Sequence, residues 1–253
     1  MLDQFLKNKT AIVTGAGQGV GQGIAISLAE RGATVALLGR SLDKLKATLE
    51  IIKQAGGKSL AIRVDVKNPQ DLVAAVERVV AETGGIQILV NNAQEVPLGT
   101  LLEVDETKIE AGWQSGPMAS LRLMKLCYPH LIGDGVIINL ASSAGMRWDM
   151  SGYGAYAAVK EAIRSISRAA ACEWGPEGIR CNVIMPHAMS PGLKWWTENR
   201  PDEAAEFIAS IPQRRIGECK QDIGDFVSML CSEQSRYVNG QTIALDGGQA
   251  RVS

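Results

Sequence analysis

Two histidines, five cysteines and 5% aromatic residues leave several kinds of chemistry without their usual side chains. The cysteines, at 127, 172, 181, 219 and 231, are odd in number and form no Cys-x-x-Cys pair. Reduced thiols are therefore expected, and no metal site built by the protein. Charge of either sign is not in excess: 26 basic residues face 27 acidic ones, the net charge is -1, and no basic run stands out. A nucleic-acid partner is not expected on that balance. Long apolar runs are also missing. Stretches such as 86–90 and 136–140 have the length of strands and fall far short of the ~20 residues that span a bilayer. The opening Met1-Leu2-Asp3-Gln4-Phe5-Leu6-Lys7 has neither a basic n-region nor an apolar h-region. A soluble cytoplasmic protein with no membrane partner is the expectation. There is no low-complexity stretch, no internal repeat and no linker rich in Pro, Gly or Ser, so residues 1–253 are expected to form one domain.

What the chain does have is alternation. Short apolar segments at 10–13, 34–38, 60–64, 86–90, 136–140, 181–185 and 242–245 are each separated by helix-like stretches. Ile24 and Leu28, then Leu42, Leu45, Leu49 and Ile52, recur at helical spacing. This pattern predicts an α/β fold: a Rossmann-type, doubly wound parallel sheet of about seven strands with helices on both faces. Ligands then bind at the carboxyl ends of the strands. The irregular region 186–212, with prolines and the pair Trp195-Trp196, is expected to be a lid over that edge.

Directly after the first strand comes Thr14-Gly15-Ala16-Gly17-Gln18-Gly19-Val20-Gly21. Such a loop lets the backbone approach a pyrophosphate resting on the N-terminus of the next helix. The spacing departs from Gly-x-Gly-x-x-Gly and resembles that of the short-chain dehydrogenase/reductase family, in its compact single-domain branch. The resemblance continues along the chain in Asp65-Val66, Asn91-Asn92-Ala93, Tyr156-x-x-x-Lys160, Arg180-Cys181-Asn182-Val183-Ile184-Met185-Pro186 and Asp246-Gly247-Gly248. It implies a nicotinamide cofactor held by Gly15, Gln18, Gly19, Val20, Gly21, Arg40, Asp65, Val66, Asn92, Ala93, Tyr156, Lys160 and Pro186. It also implies a homo-oligomer, tetramer or dimer, assembled through the helix of Tyr156 and the one before it.

Four residues apart, Tyr156 and Lys160 share one helix face. A phenol titrates near 10, and a neighbouring cation favours its ionised form. The resemblance implies that Lys160 also holds the nicotinamide ribose and that Tyr156 exchanges a proton with the substrate oxygen. A serine completes the set. Counting from Asn139 at the strand end selects Ser142, which is preferred because strand registers are less free than loop lengths, while the family's serine-to-tyrosine interval leaves Ser143 as the alternative. Its hydroxyl would bond the substrate oxygen as charge develops there.

Gly39-Arg40 follows the second strand, where a carboxylate would bind an adenosine 2′-hydroxyl and an arginine can pair with a 2′-phosphate. NADP(H) is preferred on that ground, with NAD(H) possible; Gln18 adds no charge. Three positions break the family pattern. Gln94 stands where Asn-Asn-Ala-Gly ends, His187 follows Pro186 in place of glycine, and Gly116 followed by Pro117 occupies the place of the tetrad asparagine. In the family that asparagine helps to hold a water relaying protons to the lysine, mainly through its backbone carbonyl. Gly116 keeps the carbonyl, and Pro117 is expected to distort the helix. Gln94, Ser143, Trp148, Tyr153, His187 and Trp195 are assigned to the substrate side. The size of Trp148, Trp195 and Trp196, with that of Met146, Met150, Met189 and Leu193, suits a bulky hydrophobic or aromatic substrate or, equally, packing of lid against body or subunit against subunit.

The activity expected is an NADP(H)-dependent interconversion of a ketone and a secondary alcohol. A 3-oxoacyl thioester reductase, or a catalytically weak cofactor-binding relative, are the alternatives.

Overall fold

The computed structural model describes residues 3–146 and 152–250. Trp148 and Met150 lie outside the described residues. Among the described residues seven strands form one sheet: β1 (Thr10–Thr14), β2 (Thr34–Gly39), β3 (Lys58–Arg63), β4 (Ile88–Asn91), β5 (Val136–Leu140), β6 (Arg180–Pro186) and β7 (Thr242–Leu245). Every pairing is parallel, and the order is β3-β2-β1-β4-β5-β6-β7.

Period-two alternation in doubly buried strands divides the apolar side chains between two cores. Ala11, Val13, Val35, Leu37, Val90 and Ile138 face one of them. It is shared with α1 (Gly19–Glu30), α2 (Leu42–Gln54) and α9 (Asp225–Leu230). Ile12, Ala36, Leu38, Leu89 and Ile137 face the other. That core is closed by α3 (Pro69–Thr83), α5 (Ala119–Leu131) and the C-terminal half of α6 (Gly154–Trp174). Helix α4 (Glu106–Trp113) precedes α5. After β1 the chain adds β2 and β3 on one side, then crosses to β4 on the other, so the strand order reverses between β1 and β4. The glycine loop leaves the sheet at that crevice.

Two expectations change. The third strand starts at Lys58, earlier than its apolar run, because it is an edge paired only with β2, from Thr34↔Lys58 to Gly39↔Arg63. Polar residues are tolerated at such an edge. Region 186–212 is not irregular either, since it carries α7 (Pro191–Asn199) and α8 (Pro201–Ser210). Two of its prolines open helices: Pro191 and Pro201 sit in first turns, where no intrahelical N–H is needed.

A buried polar string fixes α6 against the sheet. Asn91 Nδ2 donates to Asn139 Oδ1 (2.8 Å), Asn139 Nδ2 donates to Ser167 Oγ (2.8 Å), and Ser167 Oγ donates to the Ile163 carbonyl (2.7 Å). Thus β4, β5 and α6 share one register, and the helix bearing Tyr156 and Lys160 cannot slide without stranding buried donors. Among the described residues no helix is long and apolar enough to cross a membrane.

Candidate active site

The crevice at the strand reversal opens into a cleft of about 540 Å³ that reaches from the glycine loop to Tyr156. Gly19 turns the chain into α1 with φ 59, a conformation that side chains disfavour. Gly21 is fixed by close approach, because a Cβ there would lie 2.4 Å from Asn92 Nδ2 and 2.5 Å from the Gly15 carbonyl. Asn92 locks the loop from the other side. Its Nδ2 donates to the Thr14 carbonyl (2.9 Å), while the Asn92 and Ala93 amides both donate to Thr14 Oγ1. Helix α1 then begins with no side-chain cap and no acidic residue in its first turn. Uncapped amides at the positive end of a helix fit an anion such as a pyrophosphate. Gly15, Gln18, Gly19, Val20, Arg40, Asp65, Val66, Asn92 and Ala93 all line the same cleft.

At its far end Tyr156 lies on the first turns of α6, its hydroxyl hydrogen-bonded to Ser142. The Ser142 oxygen also accepts the Ala144 amide (3.2 Å), and Ser143 opens the short 3-10 turn Ser143–Met146. Tyr153 meets the Tyr156 ring edge-on, with centroids 6.0 Å apart. Lys160 is buried, donates Nζ to the Leu140 carbonyl (2.8 Å), and stands 5.6 Å from the centroid of the Tyr156 ring.

The electrostatic expectation needs correcting here. Burial pushes the Tyr156 phenol up to about 12, against a smaller downward pull from the Ser142 hydrogen bond. Burial also holds the Lys160 ammonium down to about 7. Loss of water is the largest cause of both shifts. At neutral pH Tyr156 is therefore an acid with its proton in place.

The segment before α5 departs from α-helical winding. Gln114–Met118 forms a π-helical turn around Pro117, with the Ala119 amide donating to the Gln114 carbonyl five residues back. The distortion expected at Gly116-Pro117 is there, and the turn packs against α6.

Comparison with known proteins decides the family. A family model described as "Enoyl-(Acyl carrier protein) reductase" matches residues 15–250. A protein named 12alpha-hydroxysteroid dehydrogenase, from a Clostridium species, is 38% identical over 254 residues, with 96% of this chain and 97% of that protein covered. The chain is a short-chain dehydrogenase/reductase. A 3-oxoacyl-(acyl-carrier-protein) reductase from Staphylococcus epidermidis is 32% identical, covering 95% of this chain and 98% of the other. A crystal structure from Beutenbergia cavernae, described as a candidate NAD(P)-dependent gluconate 5-dehydrogenase with NADP bound at low occupancy, superposes with a TM-score of 0.89. It is 30% identical, with 97% and 98% of the two chains covered.

In this short-chain dehydrogenase/reductase not every expected site residue meets in the cleft. His187 lines a second cavity of about 400 Å³ beside Asp246 and Arg215, and its ring meets Phe207 edge-on at 5.4 Å. Phe207 is met in turn by Trp196 at 5.5 Å. Trp196 thus packs the two lid helices together, while Trp195 points outward at 62% exposure. Nothing in the tryptophan pair itself distinguishes the ring that turns inward. Of the residues expected around the cofactor, Gly21, Lys160 and Pro186 do not line the cleft.

Two cleft groups carry no signal in the local sequence pattern strong enough to name them. Lys44 lines the cleft and donates Nζ to Gln18 Oε1 (2.5 Å), supplying the cation that the glycine loop lacks. Glu95 binds Arg40 (2.8 Å) and also Lys67 (3.0 Å). Only the Ser-x-x-Lys at the start of α2 hints at Lys44, and nothing nearby marks Glu95.

Proposed function

We propose that this oxidoreductase interconverts a bulky hydrophobic ketone and its secondary alcohol with NADP(H). The observation that carries the reading is the Tyr156 hydroxyl, beside Ser142 at the end of a cleft whose other end is an uncapped helix N-terminus. When bound, the dinucleotide supplies or accepts the hydride. Tyr156 gives its proton to the carbonyl oxygen in reduction, and Ser142 donates a hydrogen bond to the same oxygen as charge gathers there. Lys160, held by the Leu140 carbonyl, takes part in returning a proton to Tyr156. Gly15, Gly19, Val20 and the first amides of α1 would hold the pyrophosphate.

Preference for NADP(H) rests on Arg40, with Lys44 and Lys67 beside it. The carboxylate of Glu95 occupies Arg40 in the free protein, but the arginine side chain is 64% exposed. An exposed pair of this kind contributes only ~0–1 kcal/mol, so a phosphate can take the arginine at little cost. Arg40→Ala is expected to weaken NADPH binding about tenfold and NADH binding about twofold or less, measured by fluorescence titration. Equal losses for both cofactors would remove Arg40 from phosphate recognition.

A polycyclic ketone is favoured as substrate by the 38%-identical relative named for a hydroxysteroid. The second reading, a 3-oxoacyl thioester reductase, is favoured by the 32%-identical relative of that name. NADPH consumption with steroid ketones, aryl ketones and an acetoacetyl thioester, run side by side, separates the two. Turnover of the thioester alone overturns the first.

A further inference from the structure

Two of the departures from the family pattern touch one another. Gln94 follows β4 by three residues, and its Nε2 donates to the Glu95 carbonyl (2.7 Å) and to the Gly112 carbonyl of α4 (2.8 Å). Both bonds use its amide donors, which fixes the other end of the carboxamide as oxygen. That oxygen is buried without a hydrogen-bond partner. It fills the space in which a side chain at 116 would begin: a Cβ on Gly116 would lie 2.2 Å from Gln94 Oε1, 2.9 Å from Cδ and 3.0 Å from Nε2. A long side chain can usually swing away from such a contact. This one is tethered by two hydrogen bonds, and moving it would leave the Gly112 carbonyl without its amide donor.

A second fastening lies next to it. The Glu95 amide donates to Ser115 Oγ (2.9 Å), and Ser115 Oγ donates to the Ala111 carbonyl (2.7 Å). The loop after β4 is therefore sewn to the helix just where it enters the π-helical turn Gln114–Met118, which packs against α6. Where the family pattern has glycine on the loop and asparagine on the helix, this chain has glutamine on the loop and glycine on the helix. Bulk and amide have changed sides of one contact.

We propose that Gln94 is a positioning residue for the proton path to Lys160: its carboxamide replaces the side chain absent at 116 and holds the π-helical turn against α6. The inference rests on the oxidoreductase reading above. The Gly116 carbonyl, not its side chain, is the group set in place, and Gln94 acts through it. The two departures are then one compensated exchange, and restoring asparagine alone harms the enzyme.

The test compares wild type, Gly116→Asn, Gly116→Ala, Gln94→Gly and the double variant Gln94→Gly/Gly116→Asn. Three quantities are read: kcat against pH with a reduced ketone, NADPH affinity by fluorescence, and the thermal midpoint. Gly116→Asn and Gln94→Gly are each expected to lower kcat about tenfold or more, with NADPH affinity within about threefold. Each is also expected to move the midpoint of the pH profile by about one unit. The double variant regains kcat to within about threefold and the original profile. Should Gly116→Asn not fold, Gly116→Ala carries the same collision in a milder form, and its thermal midpoint is expected to recover when Gln94→Gly is added. Single effects that simply multiply in the double variant overturn the exchange, as does a Gln94→Gly protein with unchanged kcat and pH profile. A wild type that binds NADPH yet reduces no ketone refutes the catalytic reading instead, and the thermal midpoints of the same variants then decide the exchange: recovery in the double supports it, and additive losses sink it.

Discussion

Tyr156→Phe is expected to lose roughly 10³-fold in kcat/KM for ketone reduction, while NADPH affinity changes by about twofold or less. The substitution removes one oxygen and leaves the ring that Tyr153 contacts. What goes is the proton donor and the hydrogen bond to Ser142. Because burial sets the phenol at about 12, it stays protonated across the neutral range, so wild-type reduction should be flat in Tyr156 ionisation from about pH 6 to well above 8. Ser142→Ala, which keeps the acid but loses the second donor to the substrate oxygen, is expected to cost less, roughly 10²-fold. Steady-state kinetics with the preferred ketone checks both. If Tyr156→Phe retained more than about a tenth of wild-type activity, the proton would have to come from another group, and the assignment of the cleft's chemical end would be lost.

The catalytic pair is legible in the sequence because it is local: a tyrosine and a lysine four residues apart need only a helix to meet. The strands are legible for a related reason. Being buried on both faces, they carry near-continuous apolar runs such as 136–140, whose bounds agree with β5. Legibility fails where the deciding contact joins distant segments. Gln94 and Gly116 look like two separate losses on paper, yet their compensation exists only once the loop after β4 and the π-helical turn are side by side. Glu95 bridging Arg40 and Lys67 is the same kind of fact. The lid misleads differently, because Pro191 and Pro201 suggest breaks in the chain although proline in a first turn starts a helix. Lys160 shows the limit most clearly. Its identity and spacing suggest a cation beside the phenol, but its protonation is set by how completely α6, β5 and the π-helical turn exclude water, which no local pattern encodes.

That exclusion has a measurable cost in stability, and Lys160→Met should expose it. The unfolded chain keeps Lys160 charged up to its ordinary value of 10.5, the folded chain only up to about 7. Between those values the unfolded state binds the additional proton, so the lysine makes stability rise with pH across this window. Below it the full penalty of burying a charge is present; above it the penalty is gone. Methionine fills a similar volume with no charge, but leaves the Leu140 carbonyl without its donor, at a cost of about 1 kcal/mol. A shift of this direction outweighs that loss, so the variant is expected to be more stable than wild type at pH 6, with a higher thermal midpoint. The gain should shrink steadily as pH is raised toward 10. Ketone reduction should fall at every pH, because the group that restores the proton on Tyr156 has been removed. Scanning calorimetry of both proteins at pH 6, 8 and 10 is the check. A variant less stable than wild type at pH 6, or a difference that does not change with pH, would mean that Lys160 is charged and well solvated in the folded protein. Burial would then not be what sets the two ionisations, and the low value of Lys160 and the high value of Tyr156 would fail together.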